Sequence, residues 1–127
     1  TSIVNWDNLS RIYSSLTNFA TGSAQWAIHS ASQTILLDPT SPNSRLTMGI
    51  LQKSLSNLPE AEKYLLEAIS LKPDYVAAHY NLALVYKEEK NYRKAQSEFQ
   101  KTRDLLPEGS DEIKRLEQEL TDIAKYL

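Results

Sequence analysis

Three prolines set the frame of this chain. Pro39, Pro73 and Pro107 stand 34 residues apart, and the same two intervals separate Ala27, Ala61 and Ala95, and again Leu37, Leu71 and Leu105. A period of that length marks a chain of tandem supersecondary units, each of which buries its apolar face only against its neighbours. Where identity does not recur, the position does, in Ala31, Leu65 and Phe99 and in Thr34, Ala68 and Thr102. Three tandem units are expected.

Within each unit the apolar residues come in two bursts at helical spacing. In the last unit Leu82, Val85 and Tyr86 mark one helix face, and Tyr92, Ala95, Phe99 and Leu105-Leu106 mark a second that Pro107 ends. Each unit therefore reads as a helical hairpin. Its turn is expected at Gly22-Ser23, Ser56-Asn57 and Lys90-Asn91, where a Ser or Asn side chain can accept a hydrogen bond from the unpaired amides of the following helix. Asn57 and Glu60 have the spacing of a capping box, and Pro59 falls in the first turn, where a missing N–H costs little.

Beyond Pro107, the residues Ile113, Leu116, Leu120, Ile123 and Leu127 form one apolar stripe. Ser110 suits its N-cap, Asp111 and Glu112 its positive end, and Lys125 its negative end. A helix of this kind covers the open apolar face of a final hairpin. A coiled coil would need more heptads than the segment has.

The residues at these positions resemble the tetratricopeptide repeat, W-x2-L-G-x2-Y followed by A-x3-F and then P. The third unit reads His79-x2-Leu82-Ala83-x2-Tyr86, then Ala95-x3-Phe99, then Pro107. The second reads Arg45-x2-Met48-Gly49-x2-Gln52, then Ala61-x3-Leu65, then Pro73. Gly49 and Ala83 are small where paired helices approach closely, and Leu65 and Phe99 are large where a gap must be filled. The first unit opens with Trp6-x2-Leu9-Ser10-x2-Tyr13 and closes with Ala27, Ala31 and Pro39, but its halves stand five residues too far apart. A longer first helix, continued by Leu16 and Phe19-Ala20, accounts for the insertion; a strict 34-residue frame would put Ser14 and Asn18 in apolar slots.

The resemblance implies an all-α fold, a helical-hairpin solenoid wound as a right-handed superhelix. It would comprise a divergent, elongated repeat 1 over 3–41, repeat 2 over 42–75, repeat 3 over 76–109 and a capping helix over 110–127, seven helices in all. It also implies a concave face, lined by the first helix of each unit, that binds a peptide or helix of another protein.

Carried onto that face residue by residue, the candidate partner-binding positions are Asn8 and Arg11 beside Asp7, then Leu46, Thr47 and Ile50, then Tyr80, Asn81, Leu84 and Lys87. Asn8, Arg11, Asn81 and Lys87 are the candidates to fix a bound main chain. A subset of the family clamps the C-terminal carboxylate of chaperones with Lys, Arg and Asn. Here the corresponding slots hold Asp7, Arg11, Thr47, Ala77 and Asn81, so that mode is not expected. Leu46, Ile50, Tyr80 and Leu84 instead suggest a partner with hydrophobic anchors, since exposed apolar patches mark interaction sites. The alternative places those four side chains in the helix–helix core, because a register error of one residue turns a helix face by about 100°.

Composition narrows the remaining classes. Fourteen basic and sixteen acidic residues leave a net charge of −2, without the basic footprint of a nucleic-acid binder. The absence of cysteine removes disulfides, thiol nucleophiles and Cys-based zinc sites. His29 and His79 lack the spacing of a metal pair, so His79 reads as packing in the family's Trp slot and His29 as an exposed side chain. Carboxylate pairs such as Glu60/Glu62 and Glu88/Glu89 read as solvated surface. No phosphate loop or nucleophile elbow occurs, so neither catalytic residues nor a cofactor nor a metal is expected, and the chain is not read as an enzyme.

The stretch Ile12 to Leu37 carries no Asp, Glu, Lys or Arg but is too rich in Ser, Thr, Asn and Gln to span a membrane. With Trp26 it is a second surface candidate, packing on the first helix or meeting a preceding domain or a second copy. The chain begins Thr1-Ser2-Ile3 and is expected to be part of a longer protein, for instance the soluble part of a bacterial membrane or envelope protein. Structural self-association as a homodimer is the alternative function.

Overall fold

A computed structural model describes residues 21–127, with side chains from residue 24 onward. Among the described residues six helices follow one another: α1 (Thr21–Leu37), α2 (Pro42–Ser54), α3 (Leu58–Leu71), α4 (Val76–Glu88), α5 (Tyr92–Leu105) and α6 (Asp111–Ala124). The helix expected over Trp6, Leu9 and Tyr13, with its insertion, lies outside the described residues. Two compact units divide between Pro73 and Asp74. The first contains α1, α2 and α3, and the second α4, α5 and α6.

The repeat prolines act as stops. Pro39, Pro73 and Pro107 each stand two residues beyond a helix that ends at Leu37, Leu71 or Leu105. Proline lacks the N–H that would continue the ladder, and its ring biases the residue before it away from helical geometry. The next helix is then restarted locally after α1: Asp38 Oδ1 accepts from the Thr40 amide at 3.2 Å and from its hydroxyl at 2.8 Å. Ser41 caps α2 by accepting from the Ser44 amide at 3.3 Å.

In the first unit α2 and α3 pair along their length, with α1 packed on α2. Ala27 and Ala31 of α1 meet Met48 and Leu51 of α2, with Ile28, Ile35, Leu55 and Tyr64 around them. Ala61, Leu65 and Ala68 form the buried stripe of α3. The polar member of the repeat, Thr34, enters this packing because its hydroxyl bonds back to the Ser30 carbonyl at 3.0 Å.

Gly49 sets the approach of α2 and α3, since a Cβ there would stand 2.7 Å from Leu65 Cγ and 2.8 Å from its Cδ2. Leu65 is fully buried and has little room to withdraw. Gly49→Ala gains helix propensity of about 1 kcal/mol but overpacks the contact by about 1–3 kcal/mol. A net loss of about 1 kcal/mol is expected in urea unfolding, and a stabilised variant would contradict the close approach.

The second unit pairs α4 with α5, and α6 packs on α5. Its core takes Ala78, Leu82, Ala83, Val85 and Tyr86 from α4, Ala95, Phe99 and Thr102 from α5, and Leu116 and Ile123 from α6. Thr102 repeats the device of Thr34, donating to the Glu98 carbonyl at 2.7 Å. Leu127 ends the expected apolar stripe of α6 outside the helix and is exposed.

Both hairpin turns are built alike. Ser56 and Lys90, 34 residues apart, each have φ of 62°, the left-handed conformation that glycine adopts most cheaply. Asn57 N–H donates to the Gln52 carbonyl at 2.9 Å and Ser56 N–H to Lys53 at 2.9 Å, the paired bonds of a Schellman motif. Asn91 to Tyr86 at 2.8 Å and Lys90 to Lys87 at 3.0 Å repeat them.

The cap chemistry differs from expectation in three places. Asn91 does cap α5, accepting from the Lys94 amide at 3.4 Å. Asn57 makes no side-chain cap and instead donates from Nδ2 to Gln52 Oε1 at 2.9 Å, so the expected capping box does not form. Ser110 is the N-cap of α6 by position, but its hydroxyl makes no cap bond. Gly22 and Ser23, expected in a turn, belong to α1.

Candidate partner-binding surface

The candidate residues fall at equivalent places on the first helix of each hairpin. On α2 these are Leu46, Thr47 and Ile50, and 34 residues later on α4 they are Tyr80, Asn81 and Leu84, with Lys87 one turn further on. Spacings of three and four keep such residues on one helix face. Thr47 and Ile50 are half-buried in the first unit, and Tyr80, Asn81, Leu84 and Lys87 are half-buried in the second. Leu46 departs from the expectation of an open face: it is 7% exposed and belongs with the packing residues. Asn8 and Arg11 lie outside the described residues.

Several of these side chains are already held within the chain. The Thr47 hydroxyl donates to the Asn43 carbonyl at 3.0 Å, and Asn81 Nδ2 donates to the Ala77 carbonyl at 2.8 Å. The Tyr80 ring meets Phe99 edge-on, centroids 6.0 Å apart, which fixes a half-buried aromatic against the core. Lys87 Nζ donates to Glu119 Oε2 of α6 at 2.7 Å, with Asp122 Oδ2 at 3.9 Å. The hydrogen bond that Lys87 donates to Glu119 raises its ammonium above the ordinary lysine range, against the opposing effect of burial; the Glu119 and Asp122 charges add to the rise.

The sequence reading placed His79 in a packing role but missed its partner. His79 is buried, and its Nδ1 stands 2.7 Å from Glu98 Oε2, which faces it from α5. Lys101 Nζ reaches the other Glu98 oxygen at 3.3 Å. The signal was available, because Glu98 lies on the stripe Ala95, Phe99 and Thr102, where a charged residue needs a partner. Arg45, at the equivalent place in the first unit, also finds a carboxylate on the next helix, with Nε 3.4 Å from Glu67 Oε2. His29 is exposed on α1, its ring edge-on to Trp26 at 6.0 Å.

Little else in the described residues offers a site. They gather no group of three His, Asp or Glu side chains able to hold a metal. None of their helices is long and apolar enough to cross a membrane. A shallow cavity of about 530 Å³ at the α5–α6 turn, lined by Arg103, Asp104, Leu106, Glu108, Gly109 and Ile113, shares no residue with the candidate face.

Two family models, both described as tetratricopeptide repeat, match residues 42–75 and 64–97. No curated protein matches the chain. Among solved structures, it is similar to the first TPR of Spaghetti (RPAP3) bound to the HSP90 peptide SRMEEVD, with 17% identity and a TM-score of 0.79 over 99% of this chain and 95% of that one. It is also similar to the TPR2B domain of yeast Sti1 in a pHsp70 complex, with 17% identity and a TM-score of 0.80 over 96% and 98% of the two chains. The type III secretion translocator chaperone SycD of Yersinia enterocolitica aligns with 13% identity and a TM-score of 0.81 over 99% of this chain and 88% of its own. At such identities the likeness concerns the fold. The two repeat models identify residues 42–97 as tetratricopeptide repeat, and the chain has the all-α fold of a helical-repeat solenoid.

Proposed function

We propose that this chain is a non-catalytic protein–protein interaction module that takes a peptide or helix of its partner on the first-helix faces of its hairpins. The observation that carries this reading is a repeated one. In each hairpin the first helix leaves part of the same stripe open, with an apolar side chain at the same repeat position, Ile50 on α2 and Leu84 on α4. Thr47 and Asn81 stand beside them, and Tyr80 adds an anchored aromatic. Apolar anchors on a rigid helix, flanked by polar side chains, suit a helical or extended segment. Similar folds bound to an HSP90 peptide and to pHsp70 support the same reading by analogy.

Panning a phage-displayed random peptide library on the purified chain tests this. Selected peptides are expected to carry hydrophobic anchors and to lose at least about tenfold in affinity on Tyr80→Ala with Leu84→Ala, which together remove two half-buried anchors. Because Tyr80 also touches Phe99, Leu84→Ala alone separates lost binding from lost packing. Peptides that bind both variants as tightly as the parent would overturn the assignment of this face.

One observation favours a second reading, self-association. Trp26, Leu36 and Leu37 are 56%, 72% and 48% exposed on α1, in a stretch without Asp, Glu, Lys or Arg. Its mark would be a molar mass, measured by light scattering, that doubles as concentration rises.

A further inference from the structure

The α4 face ends in a charge arrangement that bears on which partners it accepts. Lys87, the last residue of the stripe, meets two carboxylates of α6: Glu119 at 2.7 Å and Asp122 at 3.9 Å. Glu119 and Asp122 are one helical turn apart and present their charges on the same side of α6. The contact is partly withdrawn from water, with 33% of the Lys87 side chain and 20% of the Glu119 side chain exposed, so solvent and salt weaken it less than an open surface pair. One ammonium against two carboxylates leaves these three side chains with a formal charge of −1.

The lysine that would ordinarily attract an acidic segment is therefore already neutralised from within the chain, and the excess charge has the opposite sign. A carboxylate arriving beside Lys87 would have to displace Glu119 and approach Asp122, gaining one attraction and adding one repulsion. An apolar segment with neutral or basic flanks meets neither cost. Specificity built from such a repulsive element selects against one class of partner without strengthening contacts to another.

We propose that α6 is a charge gate on the α4 face, through which Glu119 and Asp122 exclude acidic segments and restrict the partner to an apolar peptide with neutral or basic flanks. This inference rests on the reading of that face as the partner-binding surface, and it assigns to α6 a selective role in addition to covering the last hairpin.

The test compares peptide selections at low salt on the parent and on Glu119→Gln with Asp122→Asn. From the parent, acidic residues are expected to be depleted about threefold relative to the unselected library, the scale of one partly exposed charge contact. From the double variant the depletion is expected to vanish, because Lys87 is then an unopposed cation. Lys87→Gln, which leaves both α6 carboxylates in place, is expected to keep the depletion. It serves as the decisive variant if the double substitution lowers the melting temperature of the second unit. Acidic peptides enriched on the parent, equal acid content from parent and double variant, or a depletion lost in Lys87→Gln would each overturn the gate while leaving the binding face intact. Failure to enrich any peptide on the parent would overturn both.

Discussion

Phe99→Ala is expected to destabilise the chain by about 3–5 kcal/mol. Phe99 is completely buried, is among the largest side chains in the core, and sits on α5 where the second hairpin closes on α4. Truncation removes its apolar contacts and leaves a cavity that neighbouring helices cannot collapse to fill, and it also removes the ring against which Tyr80 rests edge-on. Domains of this size are held by about 5–15 kcal/mol, so the loss is a large part of the total. Urea unfolding followed by circular dichroism measures it directly. A cost below about 1 kcal/mol would mean that Phe99 is not the keystone of this hairpin.

The second large effect is expected at Glu98. Its carboxylate is 9% exposed as a residue, accepts from His79 at 2.7 Å and from Lys101 at 3.3 Å, and ties α5 to α4 across the core. Glu98→Ala leaves a buried imidazole nitrogen without this partner, which costs about 2–3 kcal/mol, whereas Glu98→Gln keeps an acceptor of the same shape and costs less. The pair is isolated by a double-mutant cycle with His79→Ala, for which a coupling of at least about 1 kcal/mol is expected in the same urea assay. Additive single effects would show that the two side chains merely fill space.

The repeat was legible because close packing permits few substitutions. Ala27, Ala61 and Ala95 are all fully buried, and Ala31, Leu65 and Phe99 vary in size but stay inside. The prolines were legible because they act on the backbone of their own neighbourhood. What escaped notice depends on tertiary partners or on backbone conformation without its usual residue. Ser56 and Lys90 adopt φ of 62° where a glycine would have announced the turn. Asn57 had the sequence of a cap, but Gln52 lay near enough to take its amide. Lys87 appeared to be a donor awaiting a ligand, since its partner Glu119 is 32 residues away on a helix whose facing on α4 cannot be read from its apolar stripe alone. Leu46 and Tyr80 share one repeat position but differ in burial, because the period fixes the slot and not the depth of its surroundings.

The central claim is that a partner segment docks on the first-helix faces, and its most direct measurement is an amide chemical-shift map of the labelled chain titrated with a selected peptide. Shifts are expected to concentrate at Thr47 and Ile50 of α2 and at Tyr80, Asn81, Leu84 and Lys87 of α4. Shifts confined to α1 around Trp26, Leu36 and Leu37, with α2 and α4 unmoved, would contradict it.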